Sequence, residues 1–155
     1  MLVDYFKEYG LDTKNIDKYE IYKKLILDYN QHTNLTRITE DDEFNVKHFL
    51  DCLSLLKTGK FNGCEKIIDI GTGAGFPGIP LKLYNERLDV TLLDSLRKRI
   101  DFLDGVIEDL GLENIRAIHA RAEEIARTDE YREQFDLAVS RAVANLSTLT
   151  EYAMG

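Results

Sequence analysis

Residues 71 to 80 hold four of the chain's ten glycines and both of its prolines, in the order Gly71-Thr-Gly73-Ala-Gly75-Phe76-Pro77-Gly78-Ile-Pro80. The apolar run Lys66-Ile67-Ile68-Asp69-Ile70 leads directly into this stretch. Glycine accepts positive φ and lets a ligand approach the main chain, while proline is tolerated in the first turn of a helix. A buried strand, a glycine-rich turn and a helix entry in succession form the corner of an α/β sheet at which nucleotide-like ligands rest.

The remainder of the chain agrees with that corner. Alternating strands and helices follow Lys66, with strands expected at Lys66–Ile70, Asp89–Leu93, Ile115–His119 and Phe135–Val139. Between the second and third, Leu96, Ile100, Leu103, Ile107 and Leu110 share one helical face, Ser95 stands where a cap belongs, and Gly111 stands where a left-handed residue ends a helix. Strands alternating with helices imply a parallel, doubly wound sheet. One more helix is expected over Ala144–Met154. Residues 1–64 read as a helical region: Tyr19, Tyr22, Ile26 and Tyr29 recur at helical spacing, widened by Ile21 and Leu25, and Thr39-Glu-Asp-Asp42 has the form of a capping box. Residues 65–155 form the sheet region, and Gly59 to Gly63 marks the break.

Which ligand the corner takes depends on the spacing of its glycines. A dinucleotide site wants G-x-G-x-x-G. Counted from Gly71 the last glycine is replaced by Phe76; counted from Gly73 the pattern comes late after the strand, and Pro77 removes an amide donor where phosphate needs one. S-adenosylmethionine, an adenosine without phosphate, tolerates both departures, whereas an oxidoreductase using NAD does not. Asp69 ends the first strand, where its carboxylate can receive a ligand ammonium or brace the loop. Asp94 ends the second, where it can accept from ribose hydroxyls or cap the next helix. Glu123 follows the third and borders an adenine site, or is a solvated helix charge.

Composition narrows the partners. The net charge of −8 argues against indiscriminate nucleic-acid binding, so an RNA substrate must meet a local basic patch or a structured particle. The two cysteines, Cys52 and Cys64, have no CxxC partner and read as buried, reduced thiols. Without a membrane-length apolar run or a basic, apolar leader at Met1, the expectation is a cytoplasmic protein with no membrane partner.

Several motifs, in one order, carry a specific resemblance. Asp69-Ile-Gly-Thr-Gly-Ala-Gly-Phe-Pro-Gly78, Leu93-Asp-Ser-Leu-Arg-Lys-Arg99 with Phe102-Leu103, Arg121-Ala-Glu-Glu124 and Ser140-Arg-Ala-Val143 resemble the glucose-inhibited division protein B family. Asn34-Leu-Thr-Arg37 and Asp51-Cys-Leu-Ser-Leu55 are similar to that family's N-terminal region, so the resemblance runs from about residue 20 to the end. It implies a class I, Rossmann-like methyltransferase that uses S-adenosylmethionine to methylate N7 of a guanine in 16S ribosomal RNA, acting on the RNA or on the assembled small subunit. The sheet implied is incomplete, four parallel strands in the order 3-2-1-4, because a complete sheet of that class continues beyond the fourth. The alternative is a truncated, non-catalytic module that binds cofactor or associates with itself through the open edge of the fourth strand.

The resemblance implies cofactor contacts at Gly71, Phe76, Ala122, Glu123 and Arg141, to which the corner itself adds Asp69, Gly73, Gly75 and Asp94. Guanine N7 carries an in-plane lone pair and no proton, so no general base is expected, and His32, His48 and His119 read as structural. Arg141, after the fourth strand, is the expected positioning residue. Its guanidinium is to meet the cofactor carboxylate, an RNA phosphate or guanine O6, or else to pair with Asp69 or Asp136. Arg97, Lys98 and Arg99 form the only basic triplet, with Arg97 able to pair with Asp101. Together with Arg37 they are the RNA-binding candidates.

Overall fold

The computed structural model describes residues 1–33, 41–59, 61, 65–121, 123–124 and 134–141. Four parallel strands, β1 (Lys66–Ile70), β2 (Asp89–Asp94), β3 (Ile115–His119) and β4 (Leu137–Val139), form one sheet in the order β3-β2-β1-β4. The central strand β1 pairs Ile67 with Val90 of β2 on one side and with Leu137 of β4 on the other. The first three strands fall where the apolar runs put them. β4 begins at Leu137, two residues later than expected, because Asp136 is spent on the approach: its amide donates to the Lys66 carbonyl and its carboxylate accepts from the Lys66 amide.

Helix α5 (Gly78–Tyr84) links β1 to β2, and α6 (Arg97–Asp109) links β2 to β3. Strand order runs outward from β1 to β3 and then reverses, so that β4 lands on the other side of β1. In open α/β sheets ligands rest in the crevice at such a reversal, beyond the carboxyl ends of the strands. The residues expected to act, on the turns after β1 and β4, flank this crevice.

Helix α6 ends as its glycine requires. Gly111 has φ +62°, the Leu112 amide donates to the Ile107 carbonyl (3.0 Å) and the Gly111 amide to the Glu108 carbonyl (3.1 Å). Its start corrects the sequence reading. The Ser95 side chain caps nothing; Asp94 Oδ1 accepts from the Leu96 amide at 3.0 Å, and Leu96 is 50% exposed instead of belonging to the apolar face.

The N-terminal helices cover one face of this sheet. Helix α1 (Leu2–Glu8) leads to α2 (Ile16–Thr33), whose Tyr19, Tyr22 and Ile26 are buried; Ile21, expected to widen that stripe, is 48% exposed. Helix α3 (Asp41–Phe44) runs through a π-helical segment (Asn45–Leu50) into α4 (Asp51–Leu53) and a 3-10 turn (Ser54–Thr58). Gly59, at φ +74°, ends the run where a break was expected. Side chains on alternate strand positions face opposite ways. Ile67, Val90, Leu92, Leu137 and Val139 join Phe6, Tyr22, Phe49 and Leu103 in one core, while Ile68, Leu93 and Ala138 form a smaller cluster. Cys52 is a free thiol inside the large core, and burial pushes its pKa up. Cys64, residues 144–154 and the first half of the expected capping box, Thr39-Glu40, lie outside the described residues. No described helix is long and apolar enough to cross a membrane.

Candidate functional site

The loop between β1 and α5 is fixed from three directions. From below, Asp69 Oδ2 accepts from the Thr72 hydroxyl (2.7 Å) and from the Gly78 amide (2.8 Å), so one carboxylate oxygen closes the turn at both ends. From the side, Asp94 Oδ2 accepts from the Gly73 amide at 2.9 Å, and the Thr72 amide donates to the Leu93 carbonyl at 2.9 Å. From above, two tyrosines of α2 reach across: Tyr22 donates to the Ala74 carbonyl and Tyr19 to the Pro80 carbonyl, each at 2.6 Å. Burial raises the pKa of both phenols, which keeps them protonated as donors.

Both acidic residues thus have structural duties in the loop. Asp69 is fully buried, and its Oδ1 has no hydrogen-bond partner among the described residues. Burial raises its pKa well above the ordinary carboxylate value, against the lowering effect of Thr72 and Gly78. A buried acceptor left unmatched is costly unless some donor arrives. Asp94 Oδ1 accepts from the Leu96 amide just ahead of α6, which itself has no side-chain cap, and its Oδ2 faces the Gly73 amide with Arg99 Nη1 at 3.5 Å.

The four glycines of the loop divide into two pairs. At Gly75 an added Cβ would meet Ile79 Cδ1 at 2.6 Å and the Tyr22 hydroxyl at 2.7 Å; at Gly78 it would press into Leu92 and lie 2.9 Å from Asp69 Oδ2. Those two serve packing. Gly71 and Gly73 have φ +68° and +60°, and a Cβ on either would meet nothing within 4 Å. They border open space at the sheet's reversal point. A backbone cradle of this kind suits an adenosine-type ligand that approaches the main chain closely.

Arg141, two residues past β4, is held against the helical region. Its Nη2 donates to the Lys47 carbonyl (2.7 Å), its Nε lies 3.9 Å from Asp51 Oδ2, and its Nη1 is 2.6 Å from His48 Nδ1. A guanidinium can only donate, so His48 Nδ1 accepts and the imidazole carries its proton on Nε2. Burial, and then the Arg141 charge, hold the His48 pKa down to about 3, which keeps the ring neutral. His48 in turn stacks on Phe76 with centroids 4.4 Å apart and planes within 4°, while the Arg141 guanidinium lies over the same Phe76 ring at 5.1 Å. Phe76 belongs to the glycine loop, so one cluster ties that loop to β4 and to the π-helical segment. The alternative partners named from sequence, Asp69 and Asp136, are not the ones Arg141 meets.

Of the remaining candidates, Glu123 is exposed and helical, four residues past the end of β3. Arg97 and Lys98 are exposed at the start of α6; Arg97 and Asp101 form no ion pair, whereas Arg99 turns back to Asp94. Ala122 and Arg37 lie outside the described residues. His48, read from sequence as structural, stacks on Phe76 and meets Arg141, and the hydroxyls of Tyr19 and Tyr22 are loop supports that the sequence did not single out. The tyrosine spacing did point inward, but nothing in it could show which carbonyls they would reach.

Comparison with known proteins adds to this geometry. Residues 15–155 match the family described as GidB, rRNA small subunit methyltransferase G. The chain is 53% identical over 156 residues to a ribosomal RNA small subunit methyltransferase G of Thermoanaerobacter sp. (strain X514), covering 99% of this chain and 65% of that protein. It is 52% identical over 145 residues to the protein of the same name from Clostridium tetani (strain Massachusetts / E88), covering 94% and 61%. The chain therefore spans somewhat less than two thirds of the length of these relatives. Among solved structures, a putative protein-L-isoaspartate O-methyltransferase from Plasmodium falciparum, in complex with S-adenosyl-L-homocysteine, superposes with a TM-score of 0.57 at 16% identity, over 98% of this chain and 76% of that one. At that identity the likeness concerns the fold, which is the Rossmann-like fold of class I methyltransferases.

Proposed function

Since this chain belongs to the GidB family of small-subunit rRNA methyltransferases, we propose that the protein transfers a methyl group from S-adenosylmethionine to N7 of a guanine in 16S ribosomal RNA. The observation that carries the reading is the pair Gly71 and Gly73, held at positive φ beside open space where the strand order reverses. When bound, S-adenosylmethionine supplies a methyl group made electrophilic by its sulfonium.

The chain's own residues hold and orient. Gly71, Gly73 and Gly75 carry the main chain that the adenosine and its amino-acid tail approach. Asp94 accepts from the ribose hydroxyls with the carboxylate that already fixes the Gly73 amide. Asp69, with one oxygen unmatched, favours a cationic or donor group near the loop. Ala122 and Glu123 border the adenine, and Phe76 anchors the loop from behind. Arg141 lies at the edge where the acceptor base must arrive. Its attachment to His48, the Lys47 carbonyl and Asp51 restrains a guanidinium that would repel the sulfonium, yet leaves one N–H on each terminal nitrogen for RNA. No general base is required, because guanine N7 has no proton to lose. Alignment of nucleophile, methyl and leaving sulfur is what remains, and such positioning supplies up to roughly 7–11 kcal/mol. Arg97 and Lys98, with Arg37 and Arg99, are the contacts proposed for RNA phosphates.

The direct test gives the full-length protein tritium-labelled S-adenosylmethionine and small ribosomal subunits lacking the modification. Label is expected on a guanine of 16S RNA. Cofactor binding without transfer to either subunits or naked RNA would remove the activity. A second reading uses the outer edge of β4, which has no strand partner among the described residues. Two chains pairing there would elute as a dimer, at a position that shifts with dilution; a monomer at all concentrations excludes it.

A further inference from the structure

A groove of about 500 Å³ opens on the helical face and reaches Arg141. Such a volume falls in the range of small-ligand sites, roughly 300–1,000 Å³. Val46 and Leu50 give it an apolar wall and Tyr9 an aromatic one, with Tyr9 54% exposed. Three cations line it: Lys47, Lys57 and Arg141. Glu43 takes up Lys47 at 3.0 Å, and Asp51, the acidic residue of the lining, lies 3.9 Å from Arg141. Lys57 has no ion pair among the described residues and lies over the Tyr9 ring, 5.8 Å from its centroid. On a chain of net charge −8, this is a place where positive charge outweighs negative beside a half-exposed aromatic side chain.

Arg141 joins the groove to the cradle, because the guanidinium that ends the groove also covers the Phe76 ring of the glycine loop. Groove and glycine loop therefore share Arg141 as a common border. We propose that the groove is a subsite for one single-stranded RNA nucleotide flanking the target guanine, its base stacked on Tyr9 and its phosphate on Lys57. Charge selects the occupant: an apolar peptide would leave Lys57 unmatched, whereas a nucleotide supplies a π face for the tyrosine and an anion for the lysine. The inference rests on the rRNA reading above and deepens it by assigning RNA contacts outside the glycine loop and the basic triplet.

The test uses the full-length protein and a 16S RNA fragment, with RNA binding, cofactor binding and melting temperature measured separately. Tyr9→Ala is expected to weaken RNA binding about tenfold, as loss of one base stack does, and Tyr9→Phe to restore it. Lys57→Gln is expected to reduce the slope of log affinity against log salt by about 0.7, the effect of one phosphate contact on a single strand. Cofactor affinity and melting temperature stay unchanged in all three. Unchanged RNA affinity and salt slope overturn the subsite. So does a lower melting temperature for Tyr9→Ala with RNA binding intact, which would give the groove to packing within the chain. If the unsubstituted protein binds cofactor but neither the fragment nor assembled small subunits, the rRNA reading itself fails and the subsite fails with it.

Discussion

Asp94 connects three tasks through one carboxylate: the start of α6, the Gly73 amide and the Arg99 guanidinium. Asp94→Ala frees two backbone amides at once. It is expected to cost about 1–2 kcal/mol of stability and to weaken S-adenosylmethionine binding at least tenfold (about 1.4 kcal/mol), read by thermal unfolding and calorimetric titration. His48 predicts a pH effect with a definite sign. Its folded-state pKa is depressed from 6.5 to about 3, chiefly by burial and then by Arg141. As pH falls below 6.5 the unfolded chain takes up a proton that the folded chain refuses, so the contribution present above 6.5 is lost toward 3. The loss is at most about 1.4 kcal/mol per pH unit. His48→Gln keeps an acceptor for Arg141 without titrating. Denaturant unfolding at pH 7.5 and 5.5 should show a stability gap between the two proteins that narrows at the lower pH; a constant gap would contradict the buried neutral imidazole. The pairing of His48 with Arg141 was not legible in the sequence, because the two stand 93 positions apart and no spacing rule links them.

Among elements, the glycine loop was the most legible and its supports the least. The strands were readable because fully buried parallel strands are short apolar runs bounded by turns. β1 and β3 have the expected limits and β2 runs one residue further, to Asp94. Gly111 announced the end of α6 because few other residues adopt its φ, whereas Ser95 and Asp94 both read as caps and the N-cap position falls instead on Leu96, with no side-chain cap. Nothing local distinguishes a packing glycine from one that borders open space either, and substitution can. Gly78→Ala drives a methyl into Leu92 and Asp69, an overpacking cost of about 1–3 kcal/mol. Gly71→Ala meets no atom and carries only the strain of positive φ, roughly 1–2 kcal/mol. The expected outcome is a larger fall in melting temperature for Gly78→Ala and a larger loss of cofactor affinity, per unit of stability lost, for Gly71→Ala.

At the scale of the molecule, the helical residues 1–64 and the sheet residues share one interior: Phe6, Tyr19, Tyr22 and Phe49 lie in the same core cluster as Ile67, Val90 and Leu92. A chain beginning at Glu65 would expose that apolar face and lose the hydroxyls on the Ala74 and Pro80 carbonyls. It is expected to show no cooperative thermal transition by circular dichroism, where the longer chain shows one. The same continuity gives Arg141 a larger consequence. A single guanidinium lies over the Phe76 ring of the glycine loop and also lines the groove. Should the groove take the proposed nucleotide and the loop the proposed methyl donor, the factor by which one alters the hold on the other must be the same in both directions.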